Sequence, residues 1–192
     1  DGTLWIDRLS TGRAPTGVTL SAADGERIIR LVAAHVGAEV HRGQPLLTAE
    51  ARVGADRGQP KLKVTPIGFT SKWTETTDWL EWDATVLQPG RFNVELVTTH
   101  QHLEPWSSGH TARIAAAGKT LRRKIVRDAE LDYTQKAYFP RIITRMGRIE
   151  VLQPGRFNLR LHLDKILPQP KDKPLWDDLS PLVVQVRLVP VK

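Results

Sequence analysis

The chain contains the same eight residues twice, and this repeat constrains its fold more than any other feature. The sequence Val-Leu-Gln-Pro-Gly-Arg-Phe-Asn occurs at residues 86–93 and again, unchanged, at 151–158. Proline presets the backbone of a turn's first central position, and glycine accepts the left-handed conformation that follows in a type II turn. Each copy therefore predicts a hairpin, with two strands joined by a tight Pro-Gly turn.

Side chains alternate in character after both turns. Phe92, Val94 and Leu96 fall on one face of the first strand, and Phe157 begins a similar apolar series in the second, with polar residues between. A period of two is typical of a strand with one buried face and one wet face. We therefore expect Phe92 and Phe157 to be buried between two layers of antiparallel strands.

Other short apolar runs are separated by clusters of Gly, Pro, Asp and Ser, which is the pattern of a β-sandwich. These strand candidates are residues 46–53, 61–65, 79–86, 112–116, 120–126 and 183–189. Four prolines place segment 167–181 outside any ladder, because proline has no N–H to donate. The sequence predicts an all-β fold, a two-sheet antiparallel jelly-roll-like β-sandwich over residues 44–192.

Residues 1–43 are expected to form an N-terminal extension or the remnant of a preceding module. The apolar run at 28–36, flanked by Asp24 and Gly37, matches a capped amphipathic helix. Residues 27–33 fit a buried strand equally well, so both alternatives stay open.

Composition excludes several classes of function. There is no cysteine, so disulfides, thiolate zinc sites and cysteine nucleophiles are ruled out. No stretch approaches the roughly 18 apolar residues of a membrane span. Lys and Arg total 28 against 21 Asp and Glu, and the formal net charge of +7 favours anionic partners or surfaces.

Residues 76–82, Thr-Thr-Asp-Trp-Leu-Glu-Trp, followed by residues 86–96, resemble the hallmark of family-six and family-35 carbohydrate-binding modules. In that pattern a Gly-Asp-Trp-Val-Glu-Tyr-like strand leads through a Pro-Ala-Gly type of turn into a Tyr-x-Val strand. Here Thr77 stands at the glycine and Trp82 at the last aromatic residue. The order of elements over residues 44–191 is also similar to the accessory sandwich found C-terminal in bacterial α-L-fucosidases and in sulfatases.

This resemblance implies a galactose-binding-like jelly roll in an extracellular or periplasmic protein, often with a structural Ca²⁺. The family's opening strand carries a Glu-x-Glu pair, of which only Glu50 is retained here. Glu50 is thus the candidate metal ligand, although calcium needs more oxygen ligands than one carboxylate supplies. The comparison also favours strands at 17–20 and 27–40.

Six tryptophans against two tyrosines suggest aromatic platforms for sugars, with core packing as the alternative. Trp79 and Trp82 are three residues apart in one strand, on opposite faces. We expect Trp79 to point inward, and Trp82 to lie on the other face or at a sheet edge as a ligand contact. Trp73, Trp106 and Trp176 fall in loops, where they either contact ligand or cap the sandwich.

The basic strand at 119–127 supplies two more candidates. Arg122 and Lys124 share one face of it and are suited to hold sulfates or carboxylates along a polysaccharide. The alternative is a solvated face that discourages edge-to-edge association. His100, His102 and His110 flank Trp106 and are expected to be loop histidines, with a transition-metal site as the alternative.

The leading interpretation is a non-catalytic carbohydrate-binding or accessory domain of a secreted carbohydrate-active protein, favouring acidic or sulfated polysaccharide and lying beside a catalytic module. The alternative is a structural or assembly domain that mediates protein–protein packing. An enzyme is not expected, because nucleophile-elbow, phosphate-loop and zinc-helix motifs are absent from the sequence. Nucleic-acid binding is weakly supported, since no recognised motif accompanies the basic strand.

Overall fold

A computed structural model describes residues 44–86, 89–100, 106–131, 139–168 and 180–191. All of these residues belong to the unit that spans 39–192. The expected N-terminal extension, the strand or helix within it, and Trp176 lie outside the described residues.

Within the described ranges the chain forms β-strands and one short 3₁₀ turn at Thr48–Glu50. The strands are β1 (Gln44–Leu47), β2 (Arg52–Ala55), β3 (Lys63–Val64), β4 (Thr70–Ser71), β5 (Asp78–Val86), β6 (Gly90–Thr99), β7 (Thr111–Ala116), β8 (Lys119–Lys124), β9 (Ala129–Glu130), β10 (Arg141–Val151), β11 (Gly155–Lys165) and β12 (Leu182–Pro190). Sheet A has the order β1-β12-β6-β10-β9, and sheet B has the order β2-β5-β11-β7-β8. The predicted all-β, two-sheet antiparallel jelly-roll-like sandwich is confirmed.

The core lies between sheets A and B and is built from the alternating apolar positions of both. Phe92 is buried as expected, whereas Phe157 is half-buried and packs against the edge of the core. The fully buried aliphatic residues come from both sheets and include Leu80, Val94, Leu96, Ile114, Leu159, Leu161, Leu163 and Val186. The period of two therefore identified the buried face of the long strands correctly.

The twin Pro-Gly segments are not hairpins, and this prediction is wrong. β5 and β6 lie in different sheets, as do β10 and β11, so at each repeat the chain crosses from one sheet to the other. The copies pair with each other instead, with Val86 opposite Gly155 and Val151 opposite Gly90. Gly155 has a φ of +143°, but Gly90 lacks the positive φ that a type II turn requires.

The single strand predicted at 46–53 is also divided between the two sheets. β1 pairs with β12 in sheet A, and β2 pairs with β5 in sheet B. The 3₁₀ turn makes the crossing, and the buried Thr48 anchors it by donating its hydroxyl to the carbonyl of Val183 at 3.2 Å. Residues 46–53 contain no glycine or proline, so no turn signal marks this break in the sequence.

Candidate functional site

The outward side chains of sheet B fall into rows because neighbouring strands are in antiparallel register. We call the two central rows the outer face of sheet B. The first row, from β2 to β8, is Gly54, Trp79, His162, Arg113 and Arg122. The second row is Arg52, Glu81, Arg160, Ala115 and Thr120.

A depression of about 590 Å³ lies on this face. Its floor includes Ala115, whose short side chain lies between Arg160 on β11 and Thr120 on β8. The turn that joins β7 to β8 closes one end through Ala117 and Gly118, both with positive φ. Small residues in the middle of a row of long polar ones therefore create a concave, mostly polar surface.

Glu81 is the central charge of the outer face. Its two carboxylate oxygens accept hydrogen bonds from Arg52 at 2.6 Å and from Arg160 at 2.7 Å. Burial by itself would raise the pKa of Glu81, but hydrogen bonds from Arg160 and Arg52 outweigh it and lower the pKa. Glu81 is therefore ionised and fixes both guanidinium groups in place.

The Trp79 indole lies on the same face and is half-buried. The Arg160 guanidinium stacks 4.3 Å from its ring centroid. Beneath the ring is Gly54, where an added Cβ would stand 2.3 Å from Trp79 Cζ2. Trp79 can lie flat across β2 because Gly54 has no side chain.

The expected orientations of Trp79 and Trp82 are reversed. Trp82 is 2% exposed and sits in the core, where its Nε1 donates to the Leu47 carbonyl at 2.7 Å. Along β5, Trp82 lies on the same face as the buried Leu80 and Ala84, whereas Trp79 lies on the same face as Glu81. Trp82 therefore offers no ring face to a ligand, whereas Trp79 lies half-buried on the outer face of sheet B.

Asp164 links the two arginines of the first row, Arg113 and Arg122. It accepts hydrogen bonds from Arg113 Nε and Arg122 Nε, each at 2.7 Å. Burial would raise the pKa of Asp164, but the two guanidinium donors outweigh that effect and lower it. Arg122 is thus on the outer face, as predicted, but partly engaged by a carboxylate, and the exposed Lys124 lies two residues further along the edge strand β8.

His162 lies in the middle of the first row, and sequence reasoning did not single it out. It is 4% exposed, borders the depression, and its Nδ1 is buried with no hydrogen-bond partner. Burial lowers the pKa of His162, and the positive charge of Arg113 lowers it further. The imidazole is therefore neutral at pH 7.

The remaining predicted aromatic contacts lie elsewhere. Trp73 is completely buried in the core, so its ring presents no surface to a ligand. Trp106 is half-buried, donates its Nε1 to Thr98 Oγ1 at 3.1 Å, and has the Arg127 guanidinium 5.7 Å from its ring centroid. Neither belongs to the outer face of sheet B.

Two further polar predictions also fall outside this face. His110 is buried, with Nε2 2.7 Å from Ser107 Oγ and Nδ1 accepting the Leu167 N–H, so it is the loop histidine that was expected. Glu50 is exposed at the end of the 3₁₀ turn. Over the described ranges no three His, Cys, Asp or Glu residues come together, and a calcium site that includes Glu50 stays a prediction.

No family model matches the sequence, and no curated protein matches it. Solved structures similar to the chain include the α-L-fucosidase from Vibrio sp. strain EJY3, at 20% identity and a TM-score of 0.47, covering 58% of this chain and 20% of that one. They also include the GH26-CBM35 β-(1,4)-mannanase from Podospora anserina, at 10% identity and a TM-score of 0.47, covering 78% of this chain and 28% of that one. The chain thus spans less than a third of either enzyme.

A family 35 carbohydrate-binding module from Clostridium thermocellum is similar over almost its whole length. The match has 8% identity and a TM-score of 0.45, and covers 76% of this chain and 98% of the module. Family 35 modules, which residues 76–96 resemble in sequence, are therefore among the solved structures similar to this chain. Across the described part of the chain no helix is long and apolar enough to cross a membrane.

Proposed function

We propose that this chain is a non-catalytic carbohydrate-binding domain and that glycan binds in the depression on the outer face of sheet B. The observation that carries this proposal is a 590 Å³ depression lined by Arg113 and Arg160, which carboxylates hold in place. The half-buried indole of Trp79 lies next to it, opposite His162 in the first row. An indole packs against the apolar C–H face of a sugar ring, and prealigned polar groups bond its hydroxyls without a large loss of side-chain entropy.

The charge state of the face supports a binding role over catalysis. Glycoside hydrolysis requires one carboxylic acid with a raised pKa to protonate the leaving oxygen. Glu81 and Asp164 instead have lowered pKa values, and each is engaged by two arginines. These carboxylates are suited to hold arginines for ligand contact and not to transfer protons.

The preference for acidic or sulfated polysaccharide is a further part of this proposal. The net charge of +7 supports it, as does the exposed Lys119, which lines the depression. Lys124 is exposed at the other end of the same edge strand. The pairing of Arg113, Arg122 and Arg160 with carboxylates weakens this preference, because their charge is largely balanced. An extracellular or periplasmic location beside a catalytic module, as expected from the sequence, belongs to the same proposal.

The test is calorimetric titration with neutral galactan, mannan and xylan oligosaccharides and with sulfated galactan. Replacing Trp79 by Ala should weaken binding by about fivefold, since a contact with an aromatic ring is worth on the order of 1 kcal/mol. Trp106→Ala is the matched control, because Trp106 is also half-buried with an arginine over its ring but does not belong to the outer face of sheet B. Loss of binding in the Trp106 variant alone would place the glycan site at Trp106 and not on the outer face of sheet B. No binding of the wild-type protein to any glycan would refute the proposal.

A structural or assembly domain is the second candidate. Leu152 in the second Pro-Gly segment is 78% exposed, and Ile67 is 62% exposed. Exposed large apolar residues are often found where proteins associate. Light scattering after size-exclusion chromatography tests the self-association version, and a monomer at high protein concentration would contradict it.

A further inference from the structure

His162 carries a polar atom that the protein itself leaves unsatisfied. Its Nδ1 is buried without a hydrogen-bond partner, and the residue borders the depression. Leaving a buried polar group unpaired destabilises the folded state, so native proteins do so rarely. An apolar side chain at this position would avoid that cost, and a polar one is therefore expected to have a partner from outside the chain.

The groups around His162 determine which partner fits. Arg160 and Asp164 flank it on β11, Arg113 is opposite on β7, and Asp56 approaches from the end of β2. On the β5 side the residue opposite is Trp79, which does not titrate. Arg113 and Arg160 are engaged by Asp164 and Glu81, so the surroundings are close to neutral while the imidazole is neutral.

We propose that the imidazole of His162 turns when glycan binds in this depression, so that its Nδ1 atom is exposed to a glycan hydroxyl and bonds it, and that protonation of the imidazole weakens the binding of neutral glycans. This inference rests on the proposed function. A hydroxyl both donates and accepts, so it satisfies Nδ1 in either tautomer of the neutral ring. An ammonium group would add a third cation beside two arginines and is excluded on that ground.

The direction of the pH effect follows from burial. A neutral sugar that covers the depression removes more water from His162 and keeps Arg113 and Arg160 close to it, so the complex disfavours the imidazolium more than the unliganded protein does. By linkage, the affinity is greatest when the ring is neutral and falls as the pH drops through the pKa of the unliganded protein. The decrease approaches about tenfold per pH unit at most.

The experiment is calorimetric titration of neutral galacto- and manno-oligosaccharides from about pH 8 to about pH 4.5, a range in which histidine titrates. The wild-type protein should lose affinity toward the acidic end. His162→Asn keeps a polar group near the Nδ1 position but cannot titrate, so it should bind with a flat pH profile. His162→Leu should bind about tenfold more weakly throughout, and His100→Asn, a histidine outside the depression, should keep the wild-type profile.

Nitrogen NMR of the imidazole gives a second readout that does not depend on affinity. The Nδ1 resonance of His162 should shift when galacto-oligosaccharide is added at neutral pH. A pH-independent affinity in the wild-type protein, or a His162→Leu variant that folds and binds normally, would overturn the inference and leave the glycan proposal standing. No binding by any variant at any pH would refute both.

Discussion

Gly54 is the residue on which the aromatic platform of the outer face depends. In a Gly54→Ala variant the new Cβ would stand 2.3, 2.5 and 2.8 Å from three ring carbons of Trp79. Carbon atoms in contact are about 3.5–4.0 Å apart, so the indole must move by more than about 1 Å. The movement disturbs the stacking of Arg160, whose guanidinium is 4.3 Å from the ring centroid.

The expected cost follows from three contributions. Overpacking of a close contact costs about 1–3 kcal/mol. Loss of the stacking of Arg160 on the indole adds about 0.5–1 kcal/mol. Alanine is better than glycine in a strand by about 0.5–1 kcal/mol, which offsets part of the loss. We therefore expect Gly54→Ala to lower the free energy of unfolding by about 1–3 kcal/mol and to weaken glycan binding with it.

Urea unfolding followed by far-ultraviolet circular dichroism measures this effect. The matched control is Gly90→Ala, where the nearest atoms to a new Cβ are 3.8 Å away and no clash arises. In a Trp79→Ala background the clash is gone, so Gly54→Ala should become neutral or stabilising, and the double-mutant cycle should give a coupling of about 1 kcal/mol or more. An unchanged cost in that background, or no cost in the wild-type background, would refute the packing argument.

Three other outcomes follow from buried polar contacts. Trp82→Phe removes the donor to the Leu47 carbonyl and leaves part of the buried indole volume empty, so it should cost about 1–3 kcal/mol in urea unfolding. Thr70→Val should cost at least as much, because the Thr70 hydroxyl both donates to and accepts from the chain at the start of β12. Glu81 and Asp164 have lowered pKa values in the folded state, so their stabilisation is full above about pH 4 and is lost as the pH falls through the lower folded values. Thermal melts should therefore drop more steeply below about pH 4 in wild type than in Glu81→Gln.

Local alternation predicted the strands but could not predict their partners. The segments at 79–86, 112–116 and 183–189 correspond to β5, β7 and β12, because each buries one face and the period is therefore visible in the sequence. A hairpin and a crossing between sheets show the same alternation on either side of a turn. The choice between them depends on non-local pairing, such as Val86 with Gly155, which no single segment encodes.

The orientation of the tryptophans was within reach of the sequence. Leu80, Ala84 and Val86 share the parity of Trp82 along β5, and all of them are buried. Trp79 shares its parity with Glu81 and Asp83, and a strand with two carboxylates on one face turns that face toward water or toward arginines. Comparing the number of apolar residues on the two faces of β5 would have placed Trp82 in the core.

Most of the candidate site could not be found from local patterns, because its members come from separate strands. Glu81 and Arg160 bond to each other although they are 79 residues apart in the chain. Arg122 was identified because it is an exposed arginine in an amphipathic strand, a property of its own segment. The roles of His162 and Ala115 become visible only in the register of sheet B. His162 lies opposite Trp79, and Ala115 lies between Arg160 and a residue of β8.

The repeat shows how the same residues acquire different roles in this fold. Because the two crossings run in opposite directions, Asn93 follows the first into sheet A and Asn158 follows the second into sheet B. Asn93 accepts a hydrogen bond from Arg148 at 2.9 Å, whereas Asn158 is exposed and borders the depression. The octapeptide therefore determines where the chain crosses between the sheets, and the neighbouring strands determine what each copy contacts. A binding role is consequently a property of the assembled outer face of sheet B and not of the repeated motif.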